Sequence, residues 1–306
     1  DATCRTVLQQ TREIDDFNAL GSLIRDTLKA LIADAGIRED KFLGLSVGIP
    51  AILDPETKRI ASSTILPIDP GVDFLAQVRE AFPGRIISAG NESAYAAYAE
   101  WNAGHHGPSA NLVYIDVNIG IGAGIIIGGD IYTGAAGNAG EIGHMSIDAD
   151  GPRCKCGAKG CLEVVASIPA ALKKMRRAAL SGEYPSLARL TGGSLDNLSA
   201  ETLFEAYARK DPPAVEIATD IAAKLAAGIN NIINLFDPQC VVIGGEITCM
   251  GPDFLSCVQD RYSRITMRRD GPAIRYAAVG GNPVIAGGSA WILGQVVRNI
   301  GAIVHK

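Results

Sequence analysis

Several features are missing from this sequence, and each absence removes a class of protein. No apolar run reaches the ~18 to 20 uncharged residues of a membrane-spanning helix. The first residues also lack the charged-then-apolar pattern of a secretory signal. The chain therefore reads as cytoplasmic, with no membrane association. A basic excess is missing as well: 28 Lys and Arg stand against 33 Asp and Glu, for a net charge of −5. These residues lack the positive surface needed to neutralise many nucleic-acid phosphates. Charged residues make up only 20% of the 306 positions and hydrophobic ones 47%, which excludes a disordered chain. The composition fits neither a collagen-like repeat nor a small disulfide scaffold. Neither an internal repeat of ~20 to 50 residues nor a low-complexity segment is present.

What is abundant is glycine, 35 residues of it, together with enough apolar side chain for a large core. At ~100–200 residues per domain the length allows two lobes. A β-like run around Thr6-Val7-Leu8 opens the chain. Phe17, Leu20, Leu23, Ile24, Leu28, Leu31 and Ile32 then recur at helical spacing, predicting a helix over about 16–35 with Asp15 or Asp16 as N-cap and Gly36 as stop. A buried strand is expected over 43–49, a helix near 72–82, a strand over 85–88 and a helix after Asn91. This alternation implies a parallel or mixed sheet covered by helices.

Gly104 to Ser109 is the first clear break in composition and marks an expected boundary: a first lobe over 1–107, and a second over 108–286. In the second, 112–117 and 124–127 read as a hairpin joined by the glycine-rich turn from Asn118 to Gly124. A second glycine-rich stretch, Gly134 to Gly143, follows it. Helices are expected over 168–179, 200–208, 214–236 and 253–262, with strands over 240–243 and 274–279. A final helix near 287–300 follows.

Seven cysteines are unevenly spread, because Cys154, Cys156 and Cys161 crowd together while Cys4, Cys240, Cys249 and Cys257 lie far away. With His144 the cluster forms the pattern H-x9-C-x-C-x4-C, in a loop spanning 144–161. Zinc favours four tetrahedral nitrogen and sulfur ligands, and one imidazole with three thiolates leaves no open position for a water. The expected site is structural, with Gly157 and Gly160 letting the short loop double back. Glu141 and Glu163 flank it. Ionised carboxylates accept strongly from hydroxyl groups, which suits a polyol ligand. Surface acids or helix-start charges would give the same spacing.

Glu141-Ile142-Gly143-His144 followed by Cys154-Lys155-Cys156-Gly157-Ala158-Lys159-Gly160-Cys161-Leu162-Glu163 resembles the signature of the ROK family of sugar kinases and sugar-responsive transcriptional repressors. The likeness extends to Gly137-Asn138-Ala139-Gly140, the turn at Gly120 to Gly124, Asp237-Pro238 and Gly244-Gly245-Glu246. It implies an α/β, actin-like or hexokinase-like two-lobed fold, mixed sheets flanked by helices, with the last helix (287–306) returning to the first lobe. It assigns zinc to His144, Cys154, Cys156 and Cys161, and sugar contacts to Glu141, His144 and Glu163. One ring nitrogen of His144 would bind metal while the other faces the sugar. It also implies a homodimer or dimer of dimers. Tyr95, Tyr98 and Trp101, on one helix, suit either core or interface.

The sequence departs from the family's kinases in four places. Where they carry a sugar-binding Asn and a catalytic Asp, this chain has Asn91 and Glu92. Glutamate is still a carboxylate but one methylene longer, and near-attack alignment is sensitive to displacements of ~1 Å; alternatively Asn91 is an N-cap and Glu92 a first-turn acid. Where they read Gly-Thr-Gly-Ile-Gly, this chain reads Asn118-Ile119-Gly120-Ile121-Gly122, losing the threonine hydroxyl. Thr64-Ile65-Leu66-Pro67 replaces an Asn-Leu-Pro. The motif Asp-x-Gly-Gly-Thr is absent, so an earlier start is expected for the cellular polypeptide.

Two functions follow as expectations. The first is the sugar-sensing effector portion of a ROK repressor, binding a sugar or sugar phosphate between the lobes and reaching DNA only through an N-terminal segment outside these residues. The alternative is an ATP- and magnesium-dependent sugar kinase of glucokinase or N-acetylhexosamine kinase type. There Glu92 would be the base, and the amides of Gly120, Gly122, Gly244 and Gly245 would hold phosphates.

Overall fold

A computed structural model describes residues 8–304, apart from 15, 64, 105, 106, 108 and 269, with side chains described as far as residue 298. Cys4, most of the Thr6-Val7-Leu8 run, Asp15 as a cap, Thr64, and much of the break at 104–109 lie outside the described residues. The chain divides into two compact units. One comprises Asp1–Gly107, Gly124–Ala139 and Val279–Lys306, and the other Pro108–Ala123 and Gly140–Ala278.

In the first unit Asp16 accepts the Asn18 N–H at 2.8 Å and opens a 3-10 turn, Phe17–Ala19, that leads into helix α1 (Leu20–Asp34). Strand β1 (Gly44–Ile49) is followed by the short strands β2 (Ile52–Leu53) and β3 (Ile60–Ser62), which pair antiparallel. Helix α2 (Ala76–Ala81) then leads to strand β4 (Ile86–Asn91), which lies parallel to β1 in register from Gly44 opposite Ile86 to Ile49 opposite Asn91. Leu20, Ile32, Ile60, Leu75 and Val78 are among the side chains buried in one cluster. Each such burial stabilises by about 1.5–3 kcal/mol.

Helix α3 (Glu92–Ala103) follows β4 directly and is buried on every face from Ser93 to Glu100. Alanine and serine at five of these eight positions keep it thin enough to be enclosed. Tyr95 and Tyr98 are core residues, only 2% and 5% exposed, which settles the choice between core and interface for those two. Glu100 is 1% exposed, and its carboxylate accepts the Val279 N–H at 2.7 Å.

The five-stranded sheet runs in the order β7-β6-β5-β8-β9. Strand β5 (Leu112–Val117) is almost wholly buried, as a central parallel strand should be. Strand β6 (Ile121–Ile127) begins in the second unit and continues into the first, where it pairs antiparallel with β7 (Asp130–Ile131). Because β6 starts at Ile121, the turn expected over 118–124 is shorter than the glycine pattern implied. Helices α4 (Leu162–Ala166), α5 (Ile168–Leu180), α6 (Leu187–Leu190), α7 (Ala200–Ala208) and α8 (Pro212–Phe236) follow. Along α8, Ile217, Ile221, Leu225, Ile229 and Ile232 form a buried stripe at helical spacing. Pro212 starts that helix, and Asp237, in the left-handed conformation, ends it.

Strand β8 (Cys240–Gly244) lies parallel to β5, with Leu112 opposite Cys240 and Asp116 opposite Gly244. Helix α9 (Pro252–Ser263) precedes β9 (Ala273–Tyr276), which adds in parallel to β8 and is shorter than the 274–279 expected. Helix α10 (Pro283–Val304) belongs to the first unit and packs against α3 and β1. It begins four residues before the expected 287. At Gly287 a Cβ would run into the Tyr95 carbonyl of α3, so the two helices approach more closely than any larger residue permits.

Candidate functional site

The second unit places His144, Cys154, Cys156 and Cys161 together. One ligand atom from each lies within 4.8 Å of all the others, with Cys154 and Cys161 buried, His144 half-buried and Cys156 exposed. Local backbone pairing builds this knot. Ser146 bridges Cys161 and Arg153 bridges Lys159 as antiparallel partners. The Cys154 N–H donates to the Ala158 carbonyl at 2.8 Å, and the Leu162 N–H to the Met145 carbonyl at 2.8 Å. Cys240, Cys249 and Cys257 lie outside the cluster.

The donor set fits a divalent cation. Burial pushes the Cys161 thiol up, and the neighbouring Cys156 and Cys154 push it further. The Ala158 N–H holds Cys156 down. Thiolate ligands brought this close to one another repel, and a divalent cation relieves that repulsion. His144 is aimed appropriately: its Nδ1 lies 3.6 Å from the Cys154 sulfur, and its Nε2 lies 3.9 Å from a Glu141 oxygen. The two ring nitrogens therefore serve different partners, one on the cysteine side and one on the carboxylate side.

Glu141 opens the 3-10 turn Ile142–His144. Burial raises the affinity of its carboxylate for a proton, with His144 opposing and Glu163 adding to the effect. Glu163 lies in the first turn of α4, immediately after the metal loop. One of its oxygens accepts the Ile121 N–H at 3.3 Å and would lie 2.8 Å from a Cβ at Gly120. The knot is thus joined through Glu163 to the β5–β6 turn.

That turn carries Ile119, 79% exposed at its tip. The Asn118 side-chain oxygen accepts the Glu246 N–H at 2.6 Å, tying the turn to the Gly244-Gly245-Glu246 turn after β8. The sequence alone did not single out Asn118. Its available signal was an amide standing where the kinases have the first glycine of Gly-Thr-Gly.

Two further expected residues lie in the first unit. Asn91 caps α3, its side-chain oxygen accepting the Ser93 N–H at 2.9 Å while its amide donates to the Ala51 carbonyl at 3.4 Å. Glu92 is the first residue of that helix and half-buried, a position where an acid complements the helix dipole. Ile65 is 66% exposed.

The sequence pattern of the ROK family matches residues 7–294. The chain belongs to the ROK family. It is 28% identical over 249 residues to a xylose repressor of Caldicellulosiruptor bescii, covering 80% of this chain and 61% of that protein. To a glucokinase of Thermotoga maritima it is 27% identical over 241 residues, covering 79% and 75% of the two chains. Among solved structures, a ROK family glucokinase from Streptomyces griseus, in complex with glucose and AMPPNP, is 26% identical. It superimposes with a TM-score of 0.73 over 88% of this chain and 87% of that one. The α/β, actin-like and hexokinase-like fold expected from the sequence is therefore the fold observed, and this ROK chain is related to sugar kinases and sugar-responsive repressors alike. It spans 53% to 61% of the length of the xylose repressors it matches. Among the described residues, no helix is long and apolar enough to cross a membrane.

Proposed function

We propose that these residues form the sugar-binding effector portion of a ROK transcriptional regulator rather than a sugar kinase. The observation that carries this reading is a contrast within the second unit. The His144, Cys154, Cys156 and Cys161 cluster is assembled beside Glu141 and Glu163. The glycine turn next to them carries an exposed isoleucine where a phosphate-binding hydroxyl would be needed.

His144 and the three cysteines would hold zinc, which would supply structural cross-linking and no open coordination position. Glu141 and Glu163 would accept hydrogen bonds from sugar hydroxyls, and His144 Nε2 would be aimed at the same ligand by its metal-side nitrogen. Asn91 and Glu92 are the further contacts that the family pattern assigns. Regulation would be a population shift driven by the ligand's different affinity for two arrangements of the regulator. A nucleic-acid contact would belong to a segment outside these residues, and the active form would be a homodimer or a dimer of dimers in the cytoplasm.

The kinase reading keeps the relationship to glucokinases and retains Glu92 as a carboxylate. Calorimetric titration with D-xylose, D-glucose and N-acetyl sugars, beside a coupled ATP assay on the same panel, separates the two. Saturable binding without turnover is expected. Turnover at ~1 s⁻¹ or faster on any of these sugars would replace the regulator with the kinase.

A further inference from the structure

The ends of β5 and β8 form a polar cluster of their own. Asp116, in register with Gly244, is a half-buried carboxylate that takes a hydrogen bond from the Asn118 side chain. The donor there is the Asn118 amide nitrogen, because a carboxylate only accepts. The amide oxygen of Asn118 accepts the Glu246 N–H at 2.6 Å. Both ends of one amide are thus in use, and the Glu246 N–H is committed.

Gly245 lies between these groups with φ of +83°. A Cβ there would lie 2.5 Å from the Val117 carbonyl oxygen, 2.6 Å from the Asn118 side-chain oxygen and 2.8 Å from an Asp116 carboxylate oxygen. Three acceptor oxygens therefore crowd over the backbone of the second glycine turn. A phosphate needs the reverse arrangement, several N–H donors and no fixed negative charge.

We propose that Asp116 and Asn118 are specificity-determining residues that close the glycine turns against nucleotide phosphates, so that ligand binding in this unit proceeds without ATP. The inference rests on the effector reading for its biological purpose, but its chemistry stands on the cluster alone. Asn118 acts by occupying the Glu246 N–H, and Asp116 acts twice, by orienting the Asn118 amide and by repelling an approaching polyanion.

The test is equilibrium binding of Mg·ATP, and of metal-free inorganic tripolyphosphate, to the wild type, Asp116→Asn, Asn118→Gly and the double variant. Tripolyphosphate without magnesium separates phosphate recognition from cation binding by the carboxylate. Zinc content and cooperative thermal unfolding report that each variant is folded. The wild type is expected to show no saturable binding at millimolar ligand, and each single variant to bind both ligands at least about tenfold tighter.

Micromolar Mg·ATP or tripolyphosphate binding by the wild type would overturn the proposal. So would a folded double variant that binds no tighter than wild type. If Asn118→Gly fails to fold, Asp116→Asn alone decides, since it preserves shape and the Asn118 contact while removing charge, and unchanged affinity refutes the lock. ATP binding without turnover would refute the lock and leave the effector reading standing, whereas sugar-dependent turnover would remove that reading.

Discussion

At the residue scale the metal knot depends on each of four side chains, and Cys156 is the one most open to solvent. Replacing it by serine leaves three ligands and a weak fourth. Zinc, expected at about one per chain in the wild type, should be largely lost on dialysis of Cys156→Ser, as read by atomic absorption. Sugar affinity should fall by about tenfold or more in calorimetry, because His144 loses the partner that fixes its tautomer. Unchanged sugar affinity in the metal-free protein would show that the knot does not aim His144. The four ligands were legible in the sequence because they lie within eighteen residues, where spacing translates almost directly into proximity. Asn118 was not, because its partner Glu246 is 128 residues away and an isolated asparagine in a glycine turn has many ordinary uses.

Asp116 also gives a prediction about pH. Burial raises its pKa in the folded state, against a smaller opposing effect of the Asn118 hydrogen bond. A group raised on folding favours the folded state fully below its unfolded pKa, and that contribution is lost as pH rises through the folded value. Wild-type stability should therefore gain relative to Asp116→Asn as pH is lowered from 7 through the carboxylate range. Urea midpoints measured at several pH values read this directly. A difference between the two proteins that stays constant with pH would contradict it.

At the scale of elements, α3 and α10 show what periodicity can and cannot deliver. Both helices were visible as apolar segments, since Ala, Tyr and Ile at helical intervals need no tertiary information to be recognised. Their close approach was not visible, because Gly287 in a helix reads only as a weak helix former until Tyr95 is placed opposite it. Gly287→Ala should thus destabilise the protein by about 1–3 kcal/mol, although alanine is the better helix former, and chemical denaturation would show the sign. A stabilised variant would mean that the two helices separate at no cost. The β2 and β3 strands escaped the sequence reading for a simpler reason. Two and three residues cannot establish a period of two, and the five residues of α4 are likewise too few to display one of 3.6.

For the molecule as a whole, the family signature identified the fold because its motifs are scattered along nearly the full chain and must converge in one architecture. Saturating sugar at about 100 times its Kd should stabilise the protein by about 2.7 kcal/mol, seen as a rise in Tm that Cys156→Ser diminishes. A sugar that raises Tm equally in both proteins would be binding away from the knot.

The first unit is assembled from three separate stretches of chain, the last of them Val279–Lys306. A ribosome adding ~5–20 residues per second needs roughly 7–28 s to make residues 140–278 after the first two stretches have been made. During that interval α3 has no α10 to cover it, and the surface against which α10 will pack is open to chaperones and to neighbouring nascent chains. Maturation of the first unit therefore waits until Val279–Lys306 has been made, and products interrupted before residue 279 should be insoluble although the other two stretches of that unit are complete.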